Sequence, residues 1–493
     1  MGVLLKIAYR NLREHKTKTI IIGSLVTLGL LILVVGNSAL DTATAGIKSN
    51  YTENYTGHVI VAASGVEAPA LTPDGAMQSI ESGTPSIPEY QKTLEFLSSY
   101  PGVDKVNPVI TGMAMTQLDG EGFGFMQFYG IDPESYREFF PDNLDLVDGE
   151  FLSAGREGLV ISETTLEMLE DSSGRDIGLG DSILLTAQNK IYGLKIRAVE
   201  IVGIFNFKNA SMPLEFVSFV DLENARVLNG MTGITDLQAV LTETELKSLG
   251  TVDEDELFGG GGLFDEPLIA DLGESAGARD FDAILGDTSA RARLSAVDQN
   301  AWHYILLKLD SEGATRRVVR DLNRRFQEAE WDLQAFEWLD GGGVIAQFTY
   351  VLKTVFNILI IVVAVVAVII IMNTLVISVT ERIPEIGTMR AIGAQKRFVR
   401  RMILLETLMI AVVFGAIGIA LGAGITGILG ATGVESDNVM LQVFMGGPVL
   451  NPVVSARSVV LSLIAVTVAG LLASLYPAAV ALRIQPVTAM NSN

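Results

Sequence analysis

Residues Thr354–Thr380 read TVFNILIIVVAVVAVIIIMNTLVISVT and contain no charged side chain. A helix needs about 20 mostly apolar residues to cross the hydrocarbon core of a bilayer, because it rises only about 1.5 Å per residue. A core helix of a soluble protein usually keeps one polar face, and the central run IVVAVVAVIII has none. This stretch therefore predicts a membrane-spanning helix.

Three further uncharged stretches have similar lengths: Thr19–Leu40, Thr407–Val434 and Ser458–Leu482. Together the four predict an α-helical membrane protein with four transmembrane helices. The first stretch could instead be the apolar region of a signal peptide, because basic residues precede it. It is longer than the usual about 7–15 residues of such a region, which favours an uncleaved anchor.

The charges of the 493-residue chain are unevenly distributed around a net charge of −22. Residues 41–345 hold 51 acidic and 21 basic side chains, a net charge of −30, whereas the remaining residues have a net charge of +8. This pattern predicts an acidic, solvated domain attached to a basic membrane part. Nucleic acid is not an expected partner, because phosphate binding needs clustered cations.

Cysteine and histidine, which are common in catalytic and metal sites, are scarce. The chain has no cysteine and only three histidines, which are far apart in the sequence. We therefore expect no catalytic residue and no metal site in this chain. One G-x-S-x-G sequence occurs at Gly273–Gly277, but it lies in an acidic, glycine-rich segment rather than between a strand and a helix, so we interpret it as a chance match.

Basic residues predict the orientation, because Lys and Arg are enriched in cytoplasmic loops. Five precede the first span and six lie in 381–401, whereas 431–456 contains none. Both termini are therefore expected in the cytoplasm and 41–345 outside it. The predicted order is an interfacial or cytoplasmic segment 1–18, helix 19–40, extracytoplasmic domain 41–345, helix 350–380, cytoplasmic coupling loop 381–401, helix 402–430, outer loop 431–456, helix 457–482 and cytoplasmic tail 483–493.

The predicted outer domain has an α+β pattern. Helical spacing occurs at 89–98, 162–170 and 311–330, and strand-like runs occur at 158–162, 181–186 and 197–205. The acidic segment 251–282 is expected to be flexible.

The opening residues Leu4–Arg13 fit either an amphipathic interfacial helix or a simple basic flank. The third span contains three glycines at helical spacing, Gly415, Gly418 and Gly422. They indicate either close helix packing or dimerisation, or simply the usual enrichment of glycine in membrane helices.

The most informative segment is ERIPEIGTMRAIGAQKRFVRR at 381–401. Pro384 suits the first turn of a helix, and Gly393 suits its end. Ile386, Met389 and Ile392 recur every three residues and give a short apolar edge. These features predict a short amphipathic helix that docks into a partner's groove. From composition alone, a basic connecting loop is an equal alternative.

Glu381–Ala394 resembles the E-R-x-x-E-I-G-x-x-[RK]-A-[IV]-G-A signature of FtsX-like permeases, the family that contains MacB and LolC/LolE. The resemblance extends to the basic entry to the first span and to the C-terminal Tyr476–Ala479 and Pro486–Met490. Outer-domain landmarks similar to those of the MacB-like periplasmic core are Gly130–Asp132, Asp148-Gly149, Gly158–Ser162, Gly178–Asp181 and Val202–Ile204.

This resemblance implies the permease subunit of an ABC transporter of the mechanotransmission type in the bacterial inner membrane. A separate cytoplasmic ATPase dimer would bind ATP and Mg, and this chain would hold no cofactor and be no enzyme. It has no Walker A sequence, since Gly-Lys occurs nowhere. The residues that the family places at the ATPase contact are Glu381, Arg382, Glu385, Ile386, Gly387, Arg390, Ala391, Gly393 and Ala394.

The resemblance also implies other partners: a second permease chain, membrane lipids, and a periplasmic substrate or adaptor. Lipoprotein release is slightly favoured over export of a drug, peptide or toxin. The alternative is an FtsX-like signalling scaffold that controls a cell-wall hydrolase. The large outer domain predicted here argues against that alternative, because such scaffolds usually have a much smaller one.

Overall fold

The computed structural model describes residues 2–14, 16–69, 71–73, 83–118, 121–189, 193–208, 215–231, 297–435 and 449–483. The chain divides into two compact units, one formed by Met1–Tyr51 with Val344–Asn493 and the other by Thr52–Gly343. The predicted flexible segment 251–282 and the G-x-S-x-G match lie outside the described residues.

The first unit, termed the membrane unit, is helical. Its helices are α1 (Gly2–Glu14), α2 (Lys16–Asn54), α9 (Gly343–Glu381), α10 (Ile383–Ala391), α11 (Lys396–Thr432) and α12 (Ala456–Arg483). A short strand pair, β11 (Val434–Glu435) and β12 (Val449–Leu450), follows α11. Leu4–Arg13 lies within α1, and its position at a membrane interface stays a prediction.

Three helices among the described residues are long and apolar enough to cross a membrane: Thr19–Asn54, Lys396–Thr432 and Val459–Val480. The uncharged stretch Thr354–Thr380 lies within α9, a continuous helix of 39 residues. Two apolar segments of α9, Ala346–Val362 and Val368–Glu381, are each shorter than a membrane-spanning helix. The count of four spans therefore stays a prediction.

The first helix extends beyond its predicted end. α2 continues from the apolar stretch 19–40 to Asn54, and the outer unit begins at Thr52 rather than at residue 41. The physical reason is that Asp41, Lys48 and Glu53 end the apolar run without ending the helix. Residues 41–54 contain no proline, and the chain turns only near Gly57, whose φ is +62°.

Apolar side chains from four helices form the centre of the membrane unit. Ile22 and Val26 of α2 pack with side chains of the other three long helices in one buried cluster: Ile371, Leu375, Ile410 and Ala473. Because lipid tails are as apolar as these side chains, close packing rather than hydrophobicity must hold such helices together.

Glycines allow α11 to approach α2 closely. A Cβ atom built on Gly418 would lie 2.6 Å from the carbonyl oxygen of Thr27, and one built on Gly422 would lie 3.0 Å from the Cβ atom of Val34. One on Gly415 would lie 3.2 Å from the side chain of Leu30. The structure thus uses all three glycines for packing within the chain.

The second unit, termed the outer unit, is built on one mixed sheet. Its strands are β1 (Val59–Ala63), β2 (Val103–Leu118), β3 (Glu121–Ile131), β4 (Leu144–Gly149), β5 (Leu159–Ser162), β6 (Ser182–Asn189), β7 (Gly193–Phe207), β8 (Val217–Val220), β9 (Tyr304–Leu309) and β10 (Leu333–Glu337). The strand order is β10-β1-β9-β2-β3-β8-β5-β7-β4, with β6 pairing with β2 and β7. The pairs β3–β8 and β5–β7 are parallel, and the other pairs are antiparallel.

Helices cover the sheet. They are α3 (Tyr90–Ser98), α4 (Pro133–Phe139), α5 (Glu163–Ser173), α6 (Leu222–Leu228), α7 (Thr315–Glu328) and α8 (Trp338–Gly341). The predicted α+β class is confirmed for this unit, and the predicted strands correspond to β5, β6 and β7. The remaining strands were not predicted.

The outer unit has a continuous apolar core without a cysteine. Alternate residues of β2 point inward, and side chains of α7 close the core from the helical side: Val318, Leu322 and Phe326. His303 is also buried, and its Nδ1 accepts a hydrogen bond from the backbone N–H of Thr111 at 3.2 Å. Burial lowers the pKa of His303 to about 3, so this side chain is neutral at physiological pH.

Candidate functional site

The coupling loop contains a short helix whose ends follow local sequence signals. Pro384 lies in the first turn of α10, where a missing N–H leaves no hydrogen bond unmade. The helix ends at Gly393, which has a φ of +106°. The N–H of Gly393 donates to the carbonyl of Arg390 at 3.1 Å, and that of Ala394 donates to the carbonyl of Met389 at 3.0 Å. This pattern is a Schellman motif, which satisfies the last carbonyls of the helix.

One face of α10 is packed against its own chain. Ile386 is only 4% exposed and lies in a cluster with Val379 of α9, Val399 and Ile403 of α11, and Ala478 of α12. Met389 is half-buried beside the same cluster. The interpretation of Ile386 and Met389 as anchors for a partner is therefore corrected. They attach α10 to the ends of three long helices.

The opposite face of α10 is open. Of the predicted apolar edge, only Ile392 is free of the packed face, and it is 83% exposed. Glu381, Glu385, Ala391 and Gly393 are also exposed, Arg390 and Ala394 are half-buried, and Arg382 and Gly387 are buried. The nine predicted contact residues thus divide into a surface that another molecule can reach and an inner set that positions the helix.

A buried ion pair fixes the start of α10 to α11. Nη1 of Arg382 lies 3.1 Å from Oε2 of Glu406, and the two side chains are 10% and 13% exposed. Nε of Arg382 also lies 3.4 Å from Oε2 of Glu385. Because a buried charge is costly when unpaired, this arrangement holds the two helices at a fixed distance.

Asn11 extends this polar cluster to the N-terminal helix. Its Nδ2 donates to Oε1 of Glu406 at 2.6 Å, so one carboxylate binds both α1 and the start of α10. Asn11 was not predicted as part of the site. An asparagine on an otherwise amphipathic helix is an ordinary surface residue by pattern, and only the fold shows that it meets residue 406.

Within the ranges that the structure describes, no group of three or more His, Cys, Asp or Glu side chains could hold a metal ion. The geometry suits the transfer of movement from an exposed surface to the long helices. An exposed helical surface is attached through Ile386 and Arg382 to the ends of α9, α11 and α12, and through Glu406 and Asn11 to α1.

Two family models each match a different part of the chain. Residues 357–486 match the FtsX-like permease C-terminal domain, which includes α10 and its packing partners. Residues 19–247 match the MacB-like periplasmic core domain.

Curated relatives are macrolide export ATP-binding/permease proteins named MacB. The protein from Bdellovibrio bacteriovorus is 35% identical over 120 residues, which cover 24% of this chain and 16% of that protein. The one from Escherichia coli is 29% identical over 188 residues, which cover 37% of this chain and 26% of that protein. The chain thus matches only a minor part of the length of these relatives.

Among solved structures, the periplasmic region of MacB from Actinobacillus actinomycetemcomitans aligns with a TM-score of 0.29 and 12% identity, covering 60% of this chain and 91% of that one. The extracellular domain of the transporter YknZ from Gram-positive bacteria aligns with a TM-score of 0.27 and 10% identity, covering 57% and 99%. The assignment rests on the two family models and the curated relatives. This chain belongs to the MacB-like and FtsX-like family of ABC transporter permeases.

Proposed function

We propose that this chain is the permease subunit of a transporter driven by a separate cytoplasmic ATPase, and that it converts ATPase motion into movement of its outer unit. The observation that carries the proposal is the two-sided packing of α10. Its inner face is fixed to three long helices, while Ile392 and Glu385 remain accessible. A surface that is exposed and yet rigidly attached can transmit a push.

The proposed orientation places α10 and both termini in the cytoplasm and the outer unit on the other side of the inner membrane. The basic residues of 381–401 support it, because such residues are retained on the cytoplasmic side. ATP and Mg would then bind only to the ATPase dimer, and a second permease chain would occupy the other half of the complex.

The substrate is proposed to be a molecule in the periplasm or the outer leaflet of the membrane. A lipoprotein is one candidate class. An exported small molecule is the second, and the curated relatives, which are named for macrolide export, favour it. ATPase activity of the reconstituted complex separates the two, because the true substrate class should stimulate it and the other should not.

Substitution of Ile392 tests the coupling role. Ile392→Glu is expected to reduce the Mg-dependent ATPase activity that copurifies with the tagged chain by about tenfold, since a charge replaces an apolar contact worth roughly 1.5–3 kcal/mol when fully buried. The thermal stability of the permease itself should not change, because Ile392 is 83% exposed.

Ile386→Ala is the matched comparison. It should lower the stability of the permease by about 2–5 kcal/mol, because Ile386 fills a packed core. Copurified ATPase activity that is unchanged in Ile392→Glu would contradict the proposed coupling surface.

A further inference from the structure

A row of arginines follows the exposed face of α7 in the outer unit. Helical geometry of about 100° per residue places four of them within an arc of roughly 100°, along about 12 Å of the helix axis. They are Arg316, Arg317, Arg320 and Arg324, and we call them the arginine stripe. All four are exposed. The buried face of α7 lies on the opposite side, so the core holds the stripe in place.

The stripe contrasts with the unit that carries it. Residues 41–345 have a net charge of −30, yet α7 holds five of their 21 basic residues against two acidic ones. Arginines three and four positions apart repel one another and destabilise a helix. A face that served only solubility would mix both signs, whereas the only other residue of α7 in this arc is the uncharged Gln327, beyond Arg324.

Two members of the stripe have no ion-pair partner among the described residues. Neither Arg317 nor Arg320 forms an ion pair with any residue of the described ranges. Arg316 approaches Glu337 at 3.5 Å with its side chain 80% exposed, and Arg324 approaches Glu328 at 3.8 Å and contacts Asp321. Guanidinium groups match carboxylates with two parallel hydrogen bonds.

We propose that the arginine stripe is a docking surface for an acidic segment of another protein outside the cytoplasm. This inference goes beyond the proposed transport function. The positive charge of the stripe favours an acidic partner. The acidic residues around the stripe limit how large the bound part of that partner can be. Glu312 lies before the stripe, and Glu328 and Glu330 lie after it. A broad anionic surface such as a bilayer would meet these carboxylates, whereas a short segment confined to the length of the stripe avoids them.

The test uses the full-length chain in nanodiscs of zwitterionic lipid and a fluorescent peptide of repeating Glu-Ala-Ala-Glu. The wild-type chain should bind the peptide, with an affinity that falls as salt is raised. Arg317→Glu with Arg320→Glu should weaken binding about tenfold or more, because two exposed pairs are each replaced by a repulsion. Arg317 and Arg320 are exposed, so folding should be unaffected.

The matched control is Arg156→Glu with Arg175→Glu, which changes the net charge equally at two exposed positions outside α7. It should leave the peptide affinity within about twofold. Equal peptide affinity in wild type and the stripe variant, or an equal loss in the control, would overturn the proposal. Stripe-dependent binding to phosphatidylglycerol vesicles without peptide binding would also overturn it, and would assign the stripe to a lipid surface.

Discussion

Arg382→Met is expected to destabilise the membrane unit by about 3–5 kcal/mol, because it removes the cation of a largely buried pair and leaves the Glu406 carboxyl without it. Asn11 would still donate to Glu406 at 2.6 Å, but an amide cannot neutralise a carboxylate. The change should also release the start of α10, so that protease cleavage within 381–401 becomes faster. Unfolding in detergent with added denaturant measures the first effect, and limited proteolysis measures the second.

Removal of both charges should be far less harmful. In Arg382→Met with Glu406→Leu, apolar side chains of similar size replace the pair, and such replacements are often neutral. Arg397→Met is the control for loss of one basic residue at the same membrane surface. Arg397 is exposed, so its replacement should cost less than about 0.5 kcal/mol. A double variant as unstable as Arg382→Met alone would show that the ion pair does not hold α10 in place.

Gly418→Val is expected to destabilise the membrane unit by about 3 kcal/mol or more, at or above the usual upper range for an overpacked core. The added Cβ would lie 2.6 Å from the carbonyl oxygen of Thr27 and 3.0 Å from the Cβ atom of Leu30. The oxygen belongs to a helix backbone, so relief requires α2 and α11 to separate. The midpoint of thermal unfolding in detergent measures the loss.

Gly427→Val on the same helix is the matched control. A Cβ atom there would meet nothing within 4 Å, although the change in helix propensity is the same. The account predicts a large loss at 418 and a small one at 427. Similar losses at both positions would mean that the loss of stability in Gly418→Val comes from helix propensity rather than from packing against α2.

Features with local causes could be predicted from the sequence. The start and end of α10 follow from Pro384 and Gly393, because each residue acts on its own turn of backbone. The apolar stretches of the membrane unit and the strands β5 to β7 were also predicted, because hydrophobic length and alternation are local patterns.

Features that depend on distant residues could not be predicted. Ile386 and Ile392 have the same side chain and lie six residues apart, yet one is buried by α9, α11 and α12 and the other is exposed. Asn11 reaches Glu406 across 395 positions of sequence. No single-sequence pattern encodes such a contact.

The outer sheet shows the same limit. β1 lies between β9 and β10, which are more than 240 residues further along the chain, and its five buried residues form too short a run to identify as a central strand. The helix α2 extends beyond the predicted span 19–40 for another reason. Charge marks where the apolar run stops, whereas a helix stops only at a backbone signal.

Accessibility of single cysteines tests the central claim most directly, because the chain has no cysteine of its own. Ile392→Cys would place a thiol on the exposed face of α10, and Arg156→Cys would place one on the outer unit. In spheroplasts, a membrane-impermeant maleimide should label the cysteine at 156 at once and the cysteine at 392 only after permeabilisation. Labelling of both before permeabilisation, or of neither, would put α10 and the outer unit on one side of the membrane and contradict transmission across it.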